Sequence, residues 1–265
     1  MLAGNEFAPM FSQEYAMALF DDHFISAHRG ASGSCPENTL CAFARAARAG
    51  VRSIETDLSL LADDGFAIFH DATLGRTVAG DAPISSFDRA GLAGLDAGAW
   101  RDPAFAGEPV PALADVLSWQ QKTGIGFNWE IKCHHTDYPR YATALARALA
   151  KADPAQTLIS SFDAGCLAAI MPELPQIARA LIAETLPADW RAIAVRLRLD
   201  GFHLNHKNLT ADQVDTLHDA GLAVRCYTVN EAADIERVRG FNVDLVMTDW
   251  PERFIQFDHI SGHER

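Results

Sequence analysis

Ile54-Glu55-Thr56-Asp57-Leu58-Ser59-Leu60-Leu61-Ala62-Asp63-Asp64-Gly65-Phe66-Ala67-Ile68-Phe69-His70-Asp71 is the stretch on which the fold turns. An apolar-rich run leaves Ile54 for about Leu60, breaks at Asp63-Asp64-Gly65, and returns through Phe66 to Phe69. Short runs bounded by turn residues read as strands. A parallel crossover needs about a dozen residues or more, and this turn offers far fewer. The two runs therefore predict an antiparallel hairpin with Asp-Gly at its turn, which brings His70 opposite the Glu55–Asp57 end. Glu55 and Asp57 are two residues apart, so on a strand their carboxylates share one face. Like charges so placed repel unless a cation lies between them. Oxygen ligands of this kind suit Mg²⁺ or Ca²⁺, with phosphate oxygens filling the open positions.

Working outward, further strand-like runs approach His28 (from Ile25), span Gly126–Ile131, and recur at 157–160, 177–182, 201–204, 223–229 and 245–248. Helical stretches separate them: Asn38 or Thr39 can cap a helix through Ala49 with Leu40, Phe43, Ala44 and Ala47 inward and Gly50 just past its end. Others run from Ala112 to Gln121 and from Pro139 to about Ala152, or begin near Phe162, Asp189, Thr210 and Asn230. Alternation of this kind predicts a parallel sheet with helices outside. Nine runs with one hairpin reduce to a closed eight-stranded (β/α) TIM-type barrel in a single domain, residues 1–265. An open Rossmann-like sheet is the second arrangement, weakened because no Gly-x-Gly-x-x-Gly follows the first strand. Residues 75–111, rich in Gly, Asp and Pro and carrying Phe87, Trp100 and Phe105, form a small packed insert beside the mouth of the site. Residues 1 to about 22 form an N-terminal arm or short helix.

The net charge of −13 argues against a nucleic-acid or anionic-membrane partner, since both require excess Lys and Arg. It also means that an anionic substrate must be attracted by a local cation. No signal peptide and no membrane-spanning apolar run is evident, and five scattered cysteines read as reduced thiols in the cytoplasm. The oligomeric expectation is a monomer or homodimer.

In a β/α barrel the functional end is the C-terminal end of the strands. His28, Glu55, Asp57 and Glu130 stand at such ends, and His70 ends the hairpin return. Glu55, Asp57 and Glu130 are the candidate metal ligands. His28 and His70 suit acid–base catalysis because imidazole titrates near neutrality. Lys132 shares a strand face with Glu130, where it either meets a phosphate oxygen or balances that carboxylate. Arg29 would ordinarily point away from His28, but the turn at Gly30 lets it reach the phosphate. Glu37 sits beside the site, Asn205 at a strand end is a candidate substrate contact, and Trp100 could meet a cationic headgroup with its ring face. Asp71 is an orienting or loop residue. Cys133-His134-His135 lacks the spaced partners of a zinc site, and Ser160-Ser161 reads as a helix cap.

Together, His28-Arg29-Gly30, Pro36-Glu37-Asn38-Thr39, Ile54-Glu55-Thr56-Asp57, Asp64-Gly65, His70-Asp71 with Leu74 and Arg76-Thr77, and Glu130-Ile131-Lys132 resemble the glycerophosphodiester phosphodiesterase family in order and spacing. The likeness continues through Leu95 to Trp100, Ser160-Ser161-Phe162, His203 to Lys207, Tyr227 to Asn230, and Thr248-Asp249 with Pro251, and is strongest to cytosolic bacterial members. It implies metal-dependent hydrolysis of a small-molecule glycerophosphodiester, such as glycerophosphocholine or glycerophosphoethanolamine, to glycerol 3-phosphate and an alcohol. It implies a site-wall role for Thr248-Asp249. Which histidine is acid and which base, and whether water or a glycerol hydroxyl attacks first, stay open. So does a related activity on lysophospholipids, which would need an exposed apolar groove.

Overall fold

The strands of the computed structural model, which describes residues 23–260, begin with β1 (Ile25–His28), β2 (Ser53–Leu60) and the short β3 (Phe66–Ile68). The expected N-terminal arm lies outside the described residues. After these come β4 (Gly126–Lys132), β5 (Thr157–Ser161), β6 (Ala178–Ala183), β7 (Gly201–Asn205), β8 (Ala223–Tyr227) and β9 (Leu245–Thr248). β2 and β3 pair antiparallel with Leu58 opposite Ile68 and Leu60 opposite Phe66, so the hairpin forms as expected. All the other pairings are parallel, and β1 pairs with both β2 and β9 to close the cylinder. Closure makes this a TIM-type barrel and removes the open-sheet alternative.

Helices cover the outside: α1 (Leu40–Ala49), α2 (Arg89–Leu92), α3 (Leu113–Thr123), α4 (Tyr138–Ala148), α5 (Ala164–Ile170), α6 (Trp190–Leu197), α7 (Ala211–His218), α8 (Ala232–Gly240) and α9 (Pro251–Phe254). Strand alternation divides the core between barrel and helices. On β4, Phe127, Trp129 and Ile131 join the main apolar cluster, while Asn128 and Glu130 take the intervening positions. Phe127 stacks on Trp129 at 4.5 Å and meets the Phe43 ring of α1 edge-on at 5.5 Å. A separate cluster of Leu158, Ala180, Leu245 and Met247 comes from the alternate positions of β5, β6 and β9.

α1 starts where the capping chemistry allows. Thr39 takes the cap, its hydroxyl accepting from the Ala42 N–H at 3.2 Å, and Gly50 closes the helix with φ 99°. Asn38, the alternative cap, is occupied elsewhere. Phe43 faces the core with Ala42 and Ala46; Leu40 and Ala47 pack at its margin, and Ala44 stands outside the stripe. α5 is capped by Asp163, which accepts from the N–H groups of Gly165 and Cys166 at 2.8 and 3.0 Å. Ser161 is therefore not that helix's cap; its hydroxyl donates to the Ile131 carbonyl at 2.8 Å.

The excursion over residues 75–111 is packed. Leu74, Val78, Ile84, Leu92, Ala97 and Val110 form a second apolar cluster with Leu61, Ala67 and Phe69 of the hairpin. Arg101 donates to the Gly33 carbonyl in the β1–α1 loop, and Glu108 accepts from the Cys41 N–H at 3.0 Å. These contacts seat the insert beside the loop that follows His28. The five cysteines are free thiols, and no helix among the described residues is long and apolar enough to cross a membrane.

Because Phe43 joins α1 to the β4 aromatics, Phe43→Ala should lower unfolding stability by about 3–5 kcal/mol. Val195→Ser, at a position 55% exposed, should change it by no more than about 0.5 kcal/mol. Urea denaturation measures both, and a loss below about 1 kcal/mol for Phe43→Ala would contradict its place in the core.

Candidate active site

Strand register assembles the site. His28 is the β1 partner of Glu55, and Asp57 is the β2 partner of Glu130, so four functional side chains fall on two neighbouring rungs. Glu55, Asp57 and Glu130 each place a carboxylate oxygen within 4.8 Å of the other two, and all three are buried. Three like charges in so dry a place need neutralising. Arg29 brings its Nε within 3.2 Å of Asp57, and Lys132 brings its Nζ within 3.0 Å of Asp57 and into contact with Glu130. Arg29 manages this because its backbone is left-handed (φ 56°), which turns the side chain back over the strand end. Asn38 is also left-handed (φ 58°); its amide donates to Asp57 at 2.7 Å and accepts from the Thr56 hydroxyl at 2.7 Å. That is why it does not cap α1.

Each histidine is gripped at Nδ1 by a carboxylate. His28 Nδ1 lies 2.6 Å from Asp249, which also accepts from Ser32 at 2.9 Å and from Asn230 at 2.6 Å. His70 Nδ1 lies 2.8 Å from Asp71, so Asp71 is an orienting residue in its geometry. Ionised carboxylates only accept, so both imidazoles carry their proton on Nδ1 and present Nε2 to the site. His28 Nε2 stands 3.8 Å from Glu55. The Phe69 N–H donates to the Asp57 carbonyl at 3.1 Å and holds His70 just beyond the carboxylates. Arg76 of the insert joins Asp71 at 2.7 Å to both oxygens of Glu37 at 2.8 Å, and Glu37 in turn accepts from Arg29 at 2.8 Å.

The glycerophosphoryl diester phosphodiesterase family model matches residues 28–253. The chain belongs to this family of hydrolases. A glycerophosphodiester phosphodiesterase of Caldanaerobacter subterraneus is 31% identical over 240 residues, covering 90% of this chain and 98% of that one. One from Bacillus subtilis is 30% identical over 268 residues, covering 93% and 90%. An Oleispira antarctica phosphodiesterase, solved in complex with the product sn-glycerol-3-phosphate, is 31% identical, covers 90% of this chain and 97% of its own, and superposes with a TM-score of 0.84.

The carboxylates of this phosphodiesterase fit a hard divalent cation: all donors are oxygen, and Glu55 Oε1 is buried with no hydrogen bond. Their titration is split. Burial, then the charges of Asp57 and Glu130, push Glu55 well above the usual carboxylate range. Burial and Asp57 push Glu130 up to about 7. Asp57 is equally buried, but Arg29, Lys132 and His70 outweigh that and hold it below its ordinary value.

The remaining candidates lie around this centre. Asn205 ends β7 and donates to Glu184 at 2.8 Å. Trp100 is on the insert, 40% exposed, with its indole N–H bonded to the Ala97 carbonyl at 2.8 Å, and is not among the residues drawn to the carboxylates. His134 and His135 go to different serines, Ser59 at 3.0 Å and Ser85 at 3.2 Å, rather than to one another's site. Sequence reasoning missed the grips of Asn38 on Asp57 and of Asp249 on His28. The available signal was that Asn230 and Asp249 follow the neighbouring barrel strands β8 and β9.

In the cation-free phosphodiesterase the folded state holds extra protons between the ordinary glutamate value of 4.5 and about 7. A raised carboxylate contributes stability at low pH that is lost as pH climbs through that window, and a bound cation takes the protons' place. Saturating Mg²⁺ or Ca²⁺ should therefore raise the melting temperature more at pH 7.5 than at pH 5.5, and Glu130→Gln should shrink that difference. Equal increments at both pH values in the unmutated enzyme would contradict the titration scheme.

Proposed function

We propose that the enzyme hydrolyses glycerophosphodiesters such as glycerophosphocholine or glycerophosphoethanolamine to sn-glycerol 3-phosphate and the free alcohol. One divalent cation, Mg²⁺ or Ca²⁺, is held by Glu55, Asp57 and Glu130, and His28 and His70 act as the acid–base pair. The observation that carries this reading is the pair of imidazoles, each fixed at Nδ1 by a carboxylate, beside a buried oxygen-only cluster, His28 next to Glu55 and His70 just past the residue bonded to the Asp57 backbone. The product bound by the Oleispira relative supports the choice of product.

When bound, the cation stabilises negative charge on the phosphoryl oxygens. Arg29 and Lys132, already drawn to Asp57, are placed to meet the same oxygens, so charge that develops during transfer finds preorganised donors. An in-line displacement takes a proton from the attacking oxygen on one side of phosphorus and gives one to the leaving alkoxide on the other. One Nε2 accepts the first and the other Nε2 donates the second. Asp249 and Asp71 hold the ring orientation and stabilise the imidazolium form, while Glu37 keeps Arg29 in place from behind. Trp100, on the insert, forms an outer wall of the mouth.

The direct assay is release of glycerol 3-phosphate from glycerophosphocholine. It should require a divalent cation, stop with chelator, and return when the cation is restored; release unchanged by chelator would remove the metal from the account. Each single His→Ala change should lower turnover by roughly 10²–10⁴-fold. With a nitrophenyl diester, whose leaving group needs little protonation, one of the two variants should recover most of its loss and the other should not. Equal losses on both esters would show that the histidines do not divide the roles.

A further inference from the structure

Cys35 and Cys41 enclose Pro36-Glu37-Asn38-Thr39-Leu40, the segment that leads from the β1–α1 loop into the first turn of α1. Their Sγ atoms lie 3.7 Å apart, in contact but unbonded. Cys35 is 2% exposed, whereas Cys41 is only half-buried. The enclosed residues hold the candidate site in place: Glu37 accepts from Arg29 and Arg76, and Asn38 donates to Asp57 at 2.7 Å. Thr39 ties the segment together, donating to the Pro36 carbonyl at 2.8 Å while it caps α1. With a proline and the left-handed Asn38 (φ 58°) inside it, the segment has little slack. A disulfide needs its sulfurs about 2.05 Å apart, so linking the two thiols draws them together by roughly 1.6 Å. A segment without slack passes that movement to Glu37 and Asn38.

We propose that Cys35 and Cys41 are a redox modification site that reacts with a low-molecular-weight disulfide and, by crosslinking, displaces Glu37 and Asn38 and slows hydrolysis. The crosslink goes beyond the glycerophosphodiester reading; only its effect on turnover rests on that reading. Cys41 is the thiol that a small disulfide reaches. It releases its proton to solvent, and its thiolate attacks one sulfur of the reagent, breaking the S–S bond; the expelled thiolate takes up a proton. Cys35 then releases its proton and attacks the Cys41 sulfur, expelling the second small thiolate, which is protonated in turn. Two protein thiols are oxidised, one small disulfide is reduced to two thiols, and protons balance. Burial, then the hydrogen bond and charge of Cys41, push the Cys35 thiol up to about 11. Because the thiolate is the nucleophile, that suits Cys35 to the second, intramolecular attack rather than the first. Cys166 and Cys226 are fully buried, beyond the reach of such a reagent. In the linked form Glu37 no longer backs Arg29 and Asn38 no longer meets Asp57, so the donors that serve the phosphate and the carboxylates are loosened together. Excess small thiol reverses both steps.

To test this, the full chain is incubated with glutathione disulfide and then with dithiothreitol, and peptide mass and turnover are read at each stage. Trypsin cuts after Arg29 and Arg45 and leaves both thiols in one peptide, so the crosslink shows as the loss of two hydrogens from residues 30–45. On oxidation kcat/KM for glycerophosphocholine should fall by about 10–100-fold, the size expected when positioning groups shift by an ångström, and dithiothreitol should restore it. Cys41→Ser and Cys35→Ala should keep the activity of the reduced enzyme and lose the response to oxidant. Cys41→Ser, at the half-buried position, carries the test alone should Cys35→Ala fail to fold. A lasting glutathione adduct on Cys41, a link elsewhere such as Cys133 to Cys166, or an unchanged 30–45 peptide would overturn the pair. A complete crosslink with turnover unaltered would overturn the displacement of Glu37 and Asn38. Should the reduced enzyme with cation hydrolyse no glycerophosphodiester, the parent reading fails and the control of turnover with it, while the peptide mass still decides the crosslink.

Discussion

Three carboxylates held together away from water are the constraint on which the rest of the site depends. Glu55, Asp57 and Glu130 come from adjacent barrel strands, and burying their charges without compensation would cost more than a small local rearrangement could recover. The compensation is visible in the backbone. Arg29 and Asn38 both adopt positive φ, a conformation that side chains other than glycine rarely take. Arg29 uses it to bring its charge to Asp57, and Asn38 to bring its amide donor there. Lys132 supplies a second cation from the same strand as Glu130. The cluster thus reaches a working arrangement with two positive groups at its edge, where a phosphodiester would arrive despite a chain whose net charge is −13.

The two histidines are anchored differently, and the difference follows from topology. His28 ends a barrel strand, and its carboxylate partner Asp249 lies just past the neighbouring strand β9, with Asn230 bonded to both the side chain and the backbone of that residue. His70 ends a hairpin arm outside the barrel. Its partner Asp71 shares Arg76 with Glu37, so its placement is tied to the packing of the insert and, through Glu37, to Arg29. The insert is therefore part of the site's framework as well as its rim: Leu74, Val78 and Ile84 pack against Phe69, the residue just before His70.

Legibility in the sequence followed the range of the interactions. The hairpin could be read because a turn of a few residues cannot hold a parallel crossover, and the shared face of Glu55 and Asp57 because strands alternate with period two. Glu130 and Lys132 obeyed the same rule. Asp249 could not be assigned to His28 that way, since the partners are 221 residues apart and meet only when β9 closes on β1. Asn38 was ambiguous for a local reason: it precedes a helix and has the chemistry of a cap, but Thr39 is equally able, and the cluster's demand for a donor decides between them. Asp163, rather than Ser160 or Ser161, caps α5 because Ser161 is already bonded to β4. Family resemblance supplied the reaction class, whereas the contact between the Cys35 and Cys41 thiols emerged only from the folded barrel.

The central claim is that the buried carboxylates are a cation site rather than a set of structural ion pairs. Anomalous diffraction from crystals soaked in Mn²⁺, which shares the oxygen preference of Mg²⁺, tests it most directly. The account predicts one dominant anomalous peak about 2.0–2.4 Å from carboxylate oxygens of Glu55, Asp57 and Glu130. The same peak should be absent from Glu55→Gln crystals soaked alike. A cluster with no peak at saturating Mn²⁺, its carboxylates still bound to Arg29 and Lys132, would contradict it.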